Sequence, residues 1–394
     1  MSHRLQGATI TSPARRTRAE DFLEALQDRI YGSLGLSAEE CQQREWLGQQ
    51  MVLPERLQQK ALELPAAEFE RYRDALFQGL ARDEAAPRPT RFERPHQYSI
   101  LREVKTTIER AVGRVSFDLP ARPVIGTLPT QSLEPLMVRV PDSGDVIVLV
   151  DGGLLTYSNL LAKAVAQALP FDVPEAGEPV LVPPGPDWVR RIDERGTARA
   201  RFLELMLATL DGRPASAPPY LPEPRYEHVA ADLCDFMEIF VLAREYGRLI
   251  EGDHRSPRTR RRSVHGQSFD ALAWTADEDL RADSVALVLL LAAANDEGAS
   301  LAWAFWAADV FLASLGMLER AAWLASGGSG HAIVTPMPAV HDHRRQALRE
   351  LLRHWDGGQQ AVAFADSLEP VLDALESGFE THFYEERFGD VAVH

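Results

Sequence analysis

Between Ala230 and His254 the chain reads AADLCDFMEIFVLAREYGRLIEGDH, a helical pattern that is apolar nearly all the way round. Leu233, Phe236, Met237 and Phe240 fall on one side, and Ile239, Leu242, Tyr246, Leu249 and Ile250 on the other, so such a helix is buried. Its middle nevertheless carries Arg244, Glu245 and Arg248, and charged side chains of this kind are almost never buried unless paired. Arg244 and Arg248 are four residues apart and point the same way, with Glu245 about 100° round the helix. Two guanidiniums and one carboxylate do not balance. These charges need partners from elsewhere in the fold.

The rest of the chain has room for the core that this helix demands. It is 394 residues long, 45% hydrophobic and 25% charged, which corresponds to two or three compact units or one large unit with an appendage. With 42 basic against 58 acidic residues the formal charge is −16, which argues against nucleic acid as the main partner. Cys41 and Cys234 make one bridge at most, so a reducing, cytoplasmic setting is expected. Arg15-Arg16 is followed by Thr17-Arg18-Ala19-Glu20-Asp21 instead of an apolar segment, which is no export signal. Ser284 to Ala294 is too short to span a bilayer, and Leu301 to Leu324 carries Asp309, Glu319 and Arg320. Both read as buried helices, with no membrane span expected.

Residues 1–18 are polar and Arg-rich, and read as a flexible tail. Residues 19–95 read as an N-terminal helical unit, with Leu23, Leu26, Ile30 and Leu34 at helical spacing, closed by a Pro-rich polar linker from Asp83 to Pro95. Residues 96–394 form the remaining domain. A helix from Leu101 to Val112 gives way to three short β-rich runs at 124–127, 136–140 and 146–150, the last two joined as a hairpin by the turn Pro141–Gly144. A helix over 156–169 and a Pro-rich loop over 170–186 follow. Further helices are broken at 214–224, at 255–262 and at 327–338, where Gly327-Gly328-Ser329-Gly330 reads as a flexible loop. Trp303, Trp306 and Trp323 are spaced as core. The expected class is α+β, mostly helical.

The frame Arg244-Glu245-Tyr246-Gly247-Arg248, within FVLAREYGRLIEGDH, resembles the His-Glu-x-x-His helix of soluble bacterial zincin metallopeptidases, with both histidine positions taken by Arg. His254 matches a frequent trailing His of that helix. In the gluzincins, relatives of HtpX and the CaaX proteases, a second helix supplies the third ligand. Here Trp274 to Asp283 resembles it, with Ala282-Asp283 as the family dipeptide and Asp279, or else Glu278, at the ligand position. Gly153-Leu154-Leu155 and the hairpin resemble the strand pair and helix ahead of the metal helix. Pro336 to Leu348, with His341, His343 and Arg344, resembles the downstream His-Pro…Arg segment. The resemblance covers roughly residues 97–355 and implies a zincin-like core within 96–394.

It also implies that the chemistry is gone. A guanidinium has no lone pair for zinc and stays protonated, and two of them repel a divalent cation. Glu245 keeps the place of the general base but has no metal-bound water to deprotonate. The expectation is a pseudoenzyme with no metal and no cofactor, in which Arg248 and Arg244 face Asp279 and Glu245 as ion pairs. A protein or peptide partner is expected in the inherited cleft, although Glu134-Pro135 stands where active relatives pair with a peptide. The competing expectation is an enzyme, using displaced ligands from Asp279, His254, His341 and His343 or other chemistry of Glu245 and the arginines. His265 is read as a surface or capping His. Arg255 and the stretch Ser256–Ser263, with Arg258, Arg260, Arg261 and Arg262, read as a solvated loop or as a cleft rim for an acidic partner. Cys234 reads as core packing.

Overall fold

The structure is a computed structural model and describes residues 16–172, 180–181, 192, 196–325 and 339–388. The expected tail up to Arg15, most of the loop over 170–186, the loop over 327–338 and Pro336 of the downstream segment lie outside the described residues. Four helices come first: α1 (Arg18–Ser33), α2 (Ala38–Glu63), α3 (Ala66–Ala85) and α4 (Pro95–Arg114). Capping boxes start α1 and α2, through Thr17 with Glu20 and Ser37 with Glu40. A three-stranded sheet follows, made of β1 (Val124–Thr127), β2 (Leu136–Arg139) and β3 (Val146–Val150) in the order β1-β3-β2. β3 runs parallel to β1 and antiparallel to β2, which it meets through the expected hairpin turn.

Beyond the sheet come α5 (Gly152–Ala168), the two-residue strands β4 (Phe171–Asp172) and β5 (Val180–Leu181), α6 (Thr197–Leu210) and α7 (Pro224–Ile250). The chain continues with β6 (Thr259–Val264), β7 (Gln267–Leu272), α8 (Ala276–Asp296), α9 (Leu301–Ala325), α10 (Val340–Arg353) and α11 (Gly358–Phe388). The fold is mostly helical with small sheets, an α+β arrangement.

β3 explains how the pieces join. Its side chains alternate between two cores: Val146, Val148 and Val150 face the large helical core, whereas Ile147 and Leu149 face a smaller one. Leu23, Leu26 and Ile30 of α1 fill that smaller core together with Phe269 and Ala271 of β7. The first helix of residues 19–95 therefore packs on the sheet, while α3 buries no side chain. α7 lies in the large core against α5, α8, α9 and α4. α9 is long and apolar enough to cross a membrane, and 83% of its most apolar window is buried inside the protein.

Two expectations are corrected here. The basic stretch Ser256–Ser263 is a loop only as far as Arg258. Thr259 to Val264 form β6, paired antiparallel with β7 across the two-residue turn His265-Gly266, whose φ values of 47° and 78° suit a tight hairpin. Its outward face is all polar, so no alternation marked it as a strand. The segment read as a Pro-rich polar linker from Asp83 to Pro95 is in part buried: α3 extends to Ala85, and Thr90, Phe92 and Glu93 lie inside the protein.

Glu93 has no exposed surface and accepts hydrogen bonds from Gln27 Nε2 (2.6 Å), Thr127 N (3.0 Å) and Thr127 Oγ1 (2.8 Å), tying α1 and this segment to β1. Burial, only partly offset by these bonds, pushes it up to about 7. Unfolded, the same carboxyl titrates near ~4.3. Its contribution to stability is thus complete below about pH 4.3 and is lost as pH rises through about 7. Relative to Glu93→Gln, the wild type should lose on the order of 3 kcal/mol between pH 4 and 8, at ~1.4 kcal/mol per unit. Urea titrations of both proteins across that range check it, and parallel pH slopes would refute it.

Candidate functional site

The site begins with a missing side chain. α7 packs more extensively on α8 than on any other element, and Gly247 lies directly on the Ala282 backbone. A Cβ at Gly247 would stand 2.7 Å from Ala282 O and 3.0 Å from its Cα, so only glycine permits this approach. The close crossing sets Arg244 and Arg248, one turn apart on α7, against Asp279 and Asp283, one turn apart on α8.

Arg248 Nη2 donates to Asp279 Oδ1 at 2.5 Å, its Nη1 pairs with Glu245, and its guanidinium lies 5.0 Å from the Trp274 ring centre. Arg244 Nε donates to Asp283 Oδ1 at 2.6 Å and Nη1 to Glu134 Oε1 at 2.6 Å, with Nη2 3.7 Å from Asp279. A third guanidinium enters from α10. Arg344 grips Asp283 through Nε (2.6 Å) and Nη2 (2.9 Å), and its Nη1 donates to Glu134 at 3.0 Å. Arg244, Glu245, Arg248, Asp283 and Arg344 are all buried, whereas the side chains of Asp279 and Glu134 keep 27% and 41% exposure. The structure therefore brings Arg244, Glu245, Arg248 and Asp279 together, and adds Asp283, Glu134 and Arg344.

The electrostatics follow from this crowding. Burial alone would raise Asp283, but Arg244 and Arg344 outweigh it and hold the carboxyl below its ordinary value. Glu134 is likewise held low by Arg244 and Arg344 against the cost of burial. Glu245 goes the other way: burial raises it, Arg248 and Arg244 only partly compensate, and its Oε2 has no partner. Three guanidiniums thus face Asp279, Asp283 and Glu134, with Glu245 as a fourth acid shifted toward its neutral form.

The expected alternative ligands are spread out or already engaged. His341 is driven down to about 4, by burial and then by Arg344, and its Nδ1 sits 3.0 Å from Arg344 Nη1, so the neutral ring accepts that hydrogen bond. His343 is exposed. His254 is buried in a short turn after α7, where its carbonyl and that of Ser256 accept from Arg139 at 2.7 and 2.8 Å. Glu278 closes the capping box of α8 with Thr275 and pairs with Arg258, away from the arginine pair. Among the described residues no group of three or more His, Cys, Asp and Glu side chains is placed to hold a metal ion. A guanidinium cannot ligate zinc, and Asp279 and Asp283 already serve guanidiniums, so these residues do not fit the metal that the sequence resemblance implies.

Along the hairpin, Arg260 and Arg261 are exposed on β6. Arg262 is half-buried with Nε unpartnered, and burial and Arg260 lower its pKa against the pull of Glu134. Cys234 is partly buried beside Glu238 at 3.5 Å, and burial pushes its thiol far up, which suits no nucleophile. The sequence reading missed Asp283 and Arg344 as ion-pair partners. A lone acid at the head of the apolar run Ser284–Ala294 was the available signal for Asp283; Glu134, in a connecting segment, offered none. No protein-family model matches the chain, and no curated protein or solved structure matches it.

Proposed function

We propose that the chain is a metallopeptidase-like protein without peptidase chemistry, in which ion pairs stand at the position of a metal centre and the protein serves to bind another protein or a peptide. One observation carries this reading: Arg248 and Arg244, at the two histidine positions of the motif, lie 2.5 and 3.7 Å from the same Asp279 oxygen. Permanently protonated groups fill the place of the zinc, and the retained Glu245 is paired with one of them. The partner surface in this reading is β6. It belongs to a two-stranded sheet, its outer edge is unpaired among the described residues, and Arg260 and Arg261 stand exposed along it. An extended acidic segment adds to such an edge through main-chain bonds, with the arginines selecting its charge.

Purified protein should carry no stoichiometric zinc and cleave no peptide substrate. Elemental analysis finding one zinc per chain that survives dialysis would overturn the non-catalytic reading. For the partner, the double variant Arg260→Ser/Arg261→Ser should stay within ~0.5 kcal/mol of wild-type stability, as exposed positions do. It should also weaken binding of an alternating Glu/Val peptide and flatten the salt dependence of that binding. Unchanged affinity at low and high salt would return β6 to a plain solvated hairpin.

A further inference from the structure

A second site lies away from the ion-pair cluster. Between α4, α5, α7 and the end of α8 runs a groove of about 260 Å³. Ile100, Val104, Leu155 and Ile239 form its apolar wall. Its charged lining is of one sign: Glu103 from α4, Asp235 and Glu238 from α7, and Glu297 at the C-cap of α8. Glu103, Asp235 and Glu297 are exposed at the mouth, whereas Glu238 is 6% exposed at the floor. None of the four makes an ion pair among the described residues. Among the described residues Glu238 has one hydrogen-bond partner, the Cys234 thiol at 3.5 Å, a weak donor.

This arrangement costs the empty protein stability in three ways. A buried carboxyl without a strong donor or counter-charge is unfavourable. Burial and then Asp235 push Glu238 up to about 8, and partial desolvation with Asp232, Glu297 and Glu103 raises Asp235 to about 6. Glu297 sits where the negative end of a 21-residue helix favours a cation, not an acid. A chain with a net charge of −16 gains from a cationic ligand here.

The lining also selects the kind of cation. No three of these acids converge as metal ligands. No aromatic ring lines the groove, so a quaternary ammonium has nothing to stack on. Separated carboxylates over an apolar wall instead match several N–H-bearing ammoniums joined by methylenes. We propose that this groove binds a linear aliphatic polyamine, with one ammonium on Glu238, the others at Glu103, Asp235 and Glu297, and the methylenes against the apolar wall. Near neutral pH the free protein holds a proton on Glu238, and an arriving ammonium displaces it to solvent. The groups facing Glu238 are Cys234 and Asp235 on its own helix, Glu103 on α4 and Glu297 beyond α8; α5 contributes the uncharged Asn159 and, within reach of Cys234, the ammonium of Lys163, which donates to the Tyr220 carbonyl.

Calorimetry of the full chain with spermidine at pH 7, in two buffers of different ionisation enthalpy, tests this. The expected result is saturable single-site binding with proton release. Glu238→Gln should remove most of the release. The exposed pair Asp235→Asn/Glu297→Gln should weaken affinity by roughly tenfold or more. The surface pair Glu68→Gln/Glu70→Gln on α3 should leave affinity unchanged. The proposal fails if spermidine shows no saturable heat up to about 10 mM, a dissociation constant too weak for a built site. It fails equally if the α3 pair lowers affinity as much as the groove pair, or if Mg²⁺ displaces spermidine at equal concentration, since either marks diffuse attraction to an acidic surface.

Discussion

Replacing Asp283 with Ala should lower the unfolding free energy by about 3–5 kcal/mol, the cost of leaving buried guanidiniums without their counter-charge. Asp283 has no exposed surface, and it takes Nε of Arg244 together with Nε and Nη2 of Arg344. Without it Arg244 keeps Glu134 and a 3.7 Å approach to Asp279, and Arg344 keeps Glu134. One half-exposed carboxylate then has to serve both. Asp279→Ala should cost distinctly less, because Asp279 is 27% exposed and solvent reaches what it leaves behind. Urea unfolding of the two variants side by side measures this. An Asp283→Ala midpoint within error of wild type, or a larger loss for Asp279→Ala, would mean that the cluster is hydrated.

Asp309 should behave in the same way at the other side of α10. It is buried within α9 and is gripped by two guanidinium forks. Arg345 donates Nε at 3.0 Å and Nη2 at 2.8 Å, and Arg349 donates Nε at 2.7 Å and Nη2 at 2.6 Å. Asp309→Ala should cost about 3 kcal/mol, at the lower end for a broken buried pair, because Glu369 and Asp366 of α11 still hold the arginines. Asp309→Asn, which keeps the shape and loses the charge, should fall between Ala and wild type. Thermal or urea unfolding of the three proteins decides it. If Asn destabilises as much as Ala, shape matters more than charge.

The sequence made one half of the site legible and concealed the other. An apolar helix with Arg244, Glu245 and Arg248 in its middle must be buried and must find acids, and Asp279 was within reach of a motif argument. The full account is larger because its other members come from far along the chain. Glu134 lies 110 residues before Arg244, and Arg344 pairs with Asp283 across 61 residues. Periodicity reports which face of a helix is apolar, not which distant side chain that face meets. β6 stayed hidden for a related reason: Thr259, Arg260 and Arg261 are exposed in succession, so it lacks the alternation that betrays a half-buried strand. Glu93 was concealed by composition, a buried residue within a run of prolines and charges.

α10 supplies cations in two directions, Arg344 toward Asp283 and Arg345 and Arg349 toward Asp309. The two acids lie on α8 and α9, which precede it in the chain; Asp283 also has Arg244 of α7, whereas among the described residues Asp309 is paired with arginines of α10 alone. As the chain emerges in order from its N-terminus, α8 and α9 are complete before any of these arginines exist. The Asp309 carboxylate must remain wet until α10 arrives, so α9 cannot settle fully into the core before then. Closure of α9 into the helical core is in this way delayed until the chain is nearly finished, with a late, short helix as its latch.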